Sequence, residues 1–334
     1  MNNNASSAPL LSVIVPVYNP GQWLEPCLNS IFSQTLQPDD YEVIIIDDGC
    51  TDGSRDVVNA FIASYPHLHI RFIEQQHTGS ATARNLGITT ATGQWITFID
   101  ADDIIIDGAF AAVAAVARET TQPAIVYTYK RISEADFNSE MCINAAALRF
   151  VPETRRVSDR FVSTSSCAIW FRRDAIEAID LKFVDLTNGE DTIFTATFFS
   201  SHDTYCYIDS NLYIYIKHPG TVTDGTDTSK CRRINDNFIR GMFVMNDLCE
   251  AGKVLPQYRD HYCALELFMM MSPMAYARYS CDEFRAVKQQ LTQARALQPF
   301  YGTMAERGRL FLYKHPAVFS SCAPILRYLL PRQI

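Results

Sequence analysis

The run Leu11–Asn19, LSVIVPVYN, decides the fold. Leu11–Val17 is almost uninterruptedly apolar, short and rich in β-branched residues, as a parallel strand buried on both faces is. It stops abruptly in Tyr18-Asn19-Pro20-Gly21. Outward from it the pattern repeats. Trp23, Cys27, Leu28 and Ile31 share one helical face, and Glu42–Ile46 (EVIII) is a second buried strand. A helix opens at Asp52 and runs through Val57, Val58 and Phe61, followed by a strand at Ile70–Ile73. Ser80–Thr90 reads as a helix and Gln94–Ile99 (QWITFI) as a fourth strand. This alternation predicts an α/β fold: right-handed crossovers, a mostly parallel sheet and helices on both faces.

Ligands of such sheets sit beyond the carboxyl ends of the strands. Three of these ends are chemically distinctive: Pro16-Val17-Tyr18-Asn19, Asp47-Asp48-Gly49 and Asp100-Ala101-Asp102-Asp103. They are far apart in sequence, and the topology carries them to one edge. Asp100 and Asp102 are two apart, so in an extended segment they point to one side, where two carboxylates repel without a cation. A hard divalent ion, Mg²⁺ or Mn²⁺, shared with substrate phosphates resolves that repulsion; a solvated acidic turn is the plainer alternative. Asp48 can accept from a nucleobase N–H or a ribose hydroxyl, or simply shape a turn before Gly49. Arg84 lies near a helix start, where an anion is welcome, or makes an ordinary surface ion pair. Glu190-Asp191 follows Gly189 and precedes an apolar helical run; it reads as a general base with a neighbour orienting the acceptor, or as a helix-start device. His218, in YIYIKHPGT, is a metal ligand, a phosphate contact or a structural histidine.

The rest of the chain bounds the answer. There are 334 residues, 48% apolar and 20% charged, which suits two domains and a sizeable core. A net charge of −8 argues against nucleic acid as a partner. Ten cysteines never approach CxxC spacing, so no zinc site is expected, and a disulfide framework is not expected in a chain this long without a secretion signal. MNNNASSAPL has neither a basic n-region nor an apolar h-region, and no run is long enough to span a bilayer; the expected compartment is the cytoplasm. Further strands are expected at Ala124–Arg131, Ser166–Arg172 and Tyr205–Tyr215 and a helix at Ala109–Arg118, while 138–156 has no clear pattern. Helices are expected over Asn235–Glu250, Tyr258–Tyr279 and Cys281–Arg295. The expected division is a disordered lead at 1–9, a nucleotide-binding and catalytic domain at 10–228 and a helical region at 229–334. Within 307–334, Arg307, Arg309, Lys314, Arg327 and Arg332 interleave with apolar residues and no acid. That stretch reads either as a peripheral contact with an anionic membrane, at its inner face, or as a terminal helix packed on the core.

Taken in order, SVIVPVYN, EVIIIDDGCTDGS, HTGSATARNLGI, TGQWITFIDADD, AIWFRRDAI, NGEDTIF and LYIYIKHPGTVT resemble the motifs of the family-two glycosyltransferases of GT-A fold, over roughly residues 10–225. The resemblance implies an inverting, metal-dependent transferase of hexosyl type. It would use a nucleotide-diphosphate sugar, mostly UDP-linked, and a glycan or lipid-linked acceptor, as in the family's bacterial polysaccharide and lipopolysaccharide branches. Carried over by motif, Pro16 and Tyr18 line the nucleotide site, Asp48 binds the base and Arg84 binds nucleotide or diphosphate. Asp100 and Asp102 form the DxD pair, with Asp102 the main metal ligand and His218 a further candidate. Asp191 is the base and Glu190 supports the acceptor. Cys50 stands where the family usually has Ser, and His218 where it often has Arg or His. The rival is a non-catalytic nucleotide-sugar or glycan-binding module, against which the intact Asp100, Asp102, Asp191 and Arg84 argue. A nucleotidyltransferase would want a Gly-rich basic loop after the first strand, and a nicotinamide dehydrogenase a GxGxxG there; PVYNPGQW is neither.

Overall fold

The computed structural model describes residues 8–140, 151–159, 162, 165–218, 227–297 and 311–329. Most of the expected 1–9 lead, part of the irregular 138–156 stretch, and Arg307, Arg309 and Arg332 of the basic tail lie outside the described residues. The chain forms two compact units: residues 1–185 with 202–218, and 186–201 with 219–334. The segment carrying Glu190 and Asp191 therefore groups with the C-terminal helices, although in sequence it lies between strands of the sheet.

Among the described residues the first unit holds a nine-stranded sheet: β1 (Leu11–Val17), β2 (Tyr41–Asp47), β3 (His69–Glu74), β4 (Trp95–Phe98), β5 (Ile104–Ile105), β6 (Ala124–Ser133), β7 (Glu153–Arg156), β8 (Ile169–Arg172) and β9 (Thr204–Lys217). The order is β3-β2-β1-β4-β8-β6-β9-β5, with β7 also on β9. β1, β2, β3 and β4 are mutually parallel, as the alternation predicts. β8 instead runs antiparallel to both β4 and β6, which needs no helical crossover. Consecutive residues of β1 and β2 are buried, so both faces are covered. The helices of this unit are α1 (Leu24–Phe32), α2 (Ser54–Ser64), α3 (Ser80–Thr90), α4 (Ala109–Ala117), α5 (Glu134–Glu140) and α6 (Arg173–Ala178).

Two polar residues interrupt the apolar pattern and are fully used. Ser12 Oγ donates to Glu42 Oε1 at 2.7 Å, as do Thr92 N and Thr92 Oγ1, and Arg71 lies 3.0 Å from Glu42 Oε2. Burial works to raise the Glu42 carboxyl, and these donors outweigh it and hold it below the usual range. The network ties the amino ends of β1 and β2 to the turn before β4, at the end of the sheet away from the distinctive strand ends.

Pro16 is admissible in a central strand because β1 and β4 part company before it. Their register ends at Ile14 opposite Phe98, with Ile99 N donating to Ile14 O at 3.0 Å. Pro16 faces the same side two residues on, past the last ladder bond, so its missing N–H leaves nothing unmade. The parting strands open a crevice where the strand order reverses, the place at which an open α/β sheet takes its ligand.

The second unit is helical: α7 (Glu190–Ser200), α8 (Thr228–Glu250), α9 (Pro256–Met269), α10 (Met271–Tyr276), α11 (Cys281–Gln293) and α12 (Pro316–Leu329). The single helix expected over 258–279 is two, α9 and α10, meeting at Met270. α11 opens with a capping box: Ser280 N donates to Glu283 Oε2 at 2.7 Å and Glu283 N to Ser280 Oγ at 3.2 Å. Phe284 of α11 stacks on Phe319 of α12 at 4.6 Å between centroids, and Tyr313 Oη donates to Leu267 O at 2.8 Å. Tyr313 and Phe319 are thus anchored on the core of this unit as buried rings. Among the described residues no helix is long and apolar enough to cross a membrane.

Candidate active site

At the carboxyl end of β2 both aspartates are committed. Asp47 accepts from Cys50 N at 2.7 Å and pairs with Arg55. Asp48, 2% exposed, accepts from Gln75 Nε2 (2.7 Å), Thr78 N (2.9 Å), Gly79 N (2.9 Å) and His77 Nδ1 (2.8 Å). Burial opposes the charge, yet these donors outweigh it and keep the Asp48 carboxyl below its ordinary range. Asp48 therefore shapes the 75–79 loop that leads into α3. Tyr18, 49% exposed, stacks on His77 at 3.8 Å and 14° between planes. The result is an open aromatic ledge at the ends of β1 and β2, suited to a nucleobase. Cys50, in the place of the usual Ser, accepts from Asn19 N through Sγ at 3.3 Å and joins the two strand ends.

Arg84, on α3, is 5% exposed. Its Nη2 lies 2.8 Å from Asp100 Oδ1, and its Cζ sits 5.3 Å from the centroid of the Phe183 ring. A guanidinium held this way has a fixed direction. Asp100 thus pairs with an arginine, and Asp102 pairs elsewhere: its Oδ2 lies 3.0 Å from His218 Nε2. His218 stacks on Trp23 at 4.7 Å. The two carboxylates of the DxD pair therefore have different protein partners.

The third aspartate of the run, Asp103, went unassigned from the sequence. It is 1% exposed, accepts from Tyr213 Oη at 2.6 Å and from Ile216 N at 2.9 Å, and Asp100 N in turn donates to Tyr213 Oη at 3.3 Å. Burial first, then the charges of Asp102 and Asp100, push its carboxyl well above the usual range. Asp103 thus pins the acidic loop to β9 two residues before His218. His77, Trp23 and Tyr213 were likewise missed. The one signal in the sequence is the third aspartate directly after DxD, because the partners of all four lie far away in sequence.

For a divalent cation, Asp102 and His218 are the two donors the structure brings together. Among the described residues no group of three or more His, Cys, Asp or Glu forms a metal cage. Two protein donors, one of them a carboxylate, fit an ion that takes its remaining ligands from phosphate oxygens and water.

The second unit holds the remaining candidates. Glu190 and Asp191 occupy the first turn of α7, where the helix dipole favours negative charge. Glu190 is 8% exposed and Asp191 is half-buried. The N-cap Gly189 has φ 81°, and a Cβ there would sit 2.5 Å from Tyr262 Oη and 2.9 Å from Glu266 Oε1. Only glycine suits both the left-handed backbone and the close approach. Burial, reinforced by the charge of Glu190, pushes the Glu266 carboxyl up to about 8.

The sequence profile described as glycosyl transferase family 2 matches residues 12–180. The chain belongs to that family. The curated relatives agree. Glycosyltransferase GlyG of Streptococcus pneumoniae is 28% identical over 224 residues, covering 64% of this chain and 72% of its own length. The uncharacterized glycosyltransferase EpsJ of Bacillus subtilis is 31% identical over 223 residues, covering 65% of this chain but only 63% of its own length. Among solved structures, Staphylococcus aureus TarS 1–349 in complex with UDP-GlcNAc superposes with a TM-score of 0.63 at 17% identity, covering 95% of this chain and 90% of that one. The mannosyltransferase PcManGT of Pyrobaculum calidifontis, in complex with GDP-Man and Mn²⁺, gives 0.55 at 19% identity, covering 96% and 85%. At those identities the structural likeness speaks for the fold, and the fold of this family-2 glycosyltransferase is GT-A with a helical C-terminal region.

Proposed function

We propose that this protein transfers a hexosyl group from a UDP-sugar to a hydroxyl of a glycan or lipid-linked acceptor, with inversion and with the help of a divalent cation, in building bacterial polysaccharide or lipopolysaccharide. The observation that carries the reading is the gathering of Arg84–Asp100 and Asp102–His218 on one acidic loop at the switch point of the sheet. UDP-GlcNAc in the staphylococcal neighbour supports the choice of nucleotide, and Mn²⁺ in the archaeal one supports a cation.

In this reading Pro16 and Tyr18 line the base and ribose site. Asp48 serves it from below by holding the 75–79 loop, with any contact to the base through a remaining lone pair. Arg84, aimed by Asp100 and Phe183, faces the diphosphate and offsets the charge that grows there as the bond to the sugar breaks. Asp102 and His218 would hold the cation, which when bound supplies positive charge against the same oxygens. For the base we assign Asp191 on its motif, with Glu190 supporting the acceptor. Asp191 takes the proton of the acceptor hydroxyl, whose oxygen attacks the anomeric carbon opposite the leaving group. The anomeric C–O bond breaks and nucleoside diphosphate departs. One base suffices because direct displacement forms no covalent enzyme intermediate.

The test is calorimetric titration of UDP in the presence of Mn²⁺, after a thermal-shift panel of UDP-, GDP- and dTDP-sugars has identified the preferred nucleotide. Asp102→Ala should weaken Mn²⁺-dependent binding about tenfold or more, as the loss of a charged ligand requires. Equal affinity in the two proteins would remove the cation from this loop.

A further inference from the structure

The long strands β6 and β9 run on together past β8, and one face of this extension is a row of aromatic and cationic side chains. The register pairs are Tyr129 with Tyr213, Arg131 with Tyr215 and Ser133 with Lys217. Members of a pair lie side by side, and positions two apart share a face. The row starts at the acidic loop, since Tyr213 Oη bonds Asp103 and Asp100 N. Tyr215, the next along, still feels the negative charge of Asp103, Asp102 and Asp100.

Two cations of this row are uncommitted. Neither Arg131 nor Lys217 makes an ion pair among the described residues. Arg131 is exposed, and its Cζ lies 4.9 Å from the Tyr215 centroid. A guanidinium laid on a ring keeps its N–H edge turned outward, in the geometry that grips an oxyanion with two parallel bonds. Tyr129, 41% exposed, adds a bare aromatic surface at the next register position, and such a surface suits the apolar face of a sugar ring. Besides Asp103 on Tyr213, the carboxylate bonded to the row among the described residues is Asp136, which accepts from Ser133 Oγ at 2.6 Å. The contrast is the cleft of about 380 Å³ at the opposite end of β4, lined by Arg118, Arg172 and Arg173. There each guanidinium already holds a carboxylate: Asp40, Asp174 and Glu177 respectively.

We infer that Tyr129, Arg131, Tyr215 and Lys217 form an acceptor subsite for a sugar carrying an oxyanion, a phosphate or a carboxylate, with the ring on Tyr129 and the anion on Arg131 and Lys217. The assignment rests on the transferase reading above, which supplies the acceptor. It differs from the donor site, whose diphosphate is served by Arg84 and the Asp102–His218 pair.

The experiment is saturation-transfer NMR and calorimetry on the full chain, first saturated with UDP and Mn²⁺, using three probes: mannose 6-phosphate, galacturonic acid and mannose. The anionic probes should bind and mannose should not; which anion binds tighter identifies the source of the charge. Arg131→Gln, at an exposed position, should weaken the anionic probes about tenfold, the loss of a charge-assisted bidentate contact. Arg131→Lys should recover part of that loss. Affinity for UDP should be the same in wild type and both variants. Equal binding of mannose, or unchanged binding of the anionic probes to Arg131→Gln, overturns the subsite. So does displacement of the probes by UDP, which would return the row to the donor. Absence of UDP binding in the wild type would instead count against the transferase reading, with the row still judged by its probes.

Discussion

Replacing Glu266 with Gln should change how stability depends on pH. Glu266 lies in α9, 3% exposed, beside Tyr262 of the same helix and close to Gly189, the N-cap of α7. Burial and the charge of Glu190 lift its carboxyl from an ordinary 4.5 to about 8, against a smaller opposing influence of Tyr262. Between those values the native protein keeps a proton that the unfolded chain has released. The sign follows: native stability is fully retained below pH 4.5 and falls as pH rises through the window, until it levels off above about 8. A displacement of this size corresponds to something on the order of 5 kcal/mol over the window. That is a large part of the 5–15 kcal/mol by which domains are typically stable (roughly). Glu266→Gln keeps the shape and has no proton to lose. Urea unfolding of both proteins, followed by circular dichroism from about pH 5 to about pH 9, should give curves that diverge, with the variant gaining several kcal/mol at the alkaline end. Parallel curves would mean that the carboxyl ionises freely in the native state, and the buried acid behind α7 would have to be abandoned.

Two further outcomes are expected. Asp191→Asn should abolish sugar transfer, measured as UDP release with acceptor, while calorimetric affinity for UDP stays within about twofold (~0.4 kcal/mol) of wild type; a matching fall in UDP affinity would deny it the role of base. Gly93→Ala would place a Cβ 2.6 Å from Ser12 N and 2.7 Å from Leu11 C, backbone that cannot step aside. It should cost roughly 1–3 kcal/mol or more in thermal or urea unfolding, and a variant as stable as wild type would show that the turn before β4 is slack.

Much of the fold was legible because its signals are local. Apolar runs marked β1, β2 and β4, and the helix at Ser80–Thr90 has the expected bounds. The order of motifs pointed to the family in which the chain falls. The gathering of polar strand ends at one edge also followed, since a parallel topology leaves little choice. What stayed hidden was the use made of each side chain. Ser12 and Glu42 interrupt apolar strands, and the structure joins them in a satisfied network. Asp48 read either as an acceptor for a ligand or as a turn residue, and four protein donors meet it.

The sequence by itself therefore determined the class of fold, the family and the identity of the chemically able residues, because side-chain periodicity and motif order are properties of neighbours along the chain. Only the tertiary structure decided which partner each acid takes: Arg84 for Asp100, His218 for Asp102, Tyr213 and Ile216 for Asp103. It also decided that α7 packs with the C-terminal helices and that β8 turns antiparallel. Asp102 and His218 stand 116 residues apart. Contacts at that range arise from strand order and from the burial of faces on other elements, which no local pattern encodes.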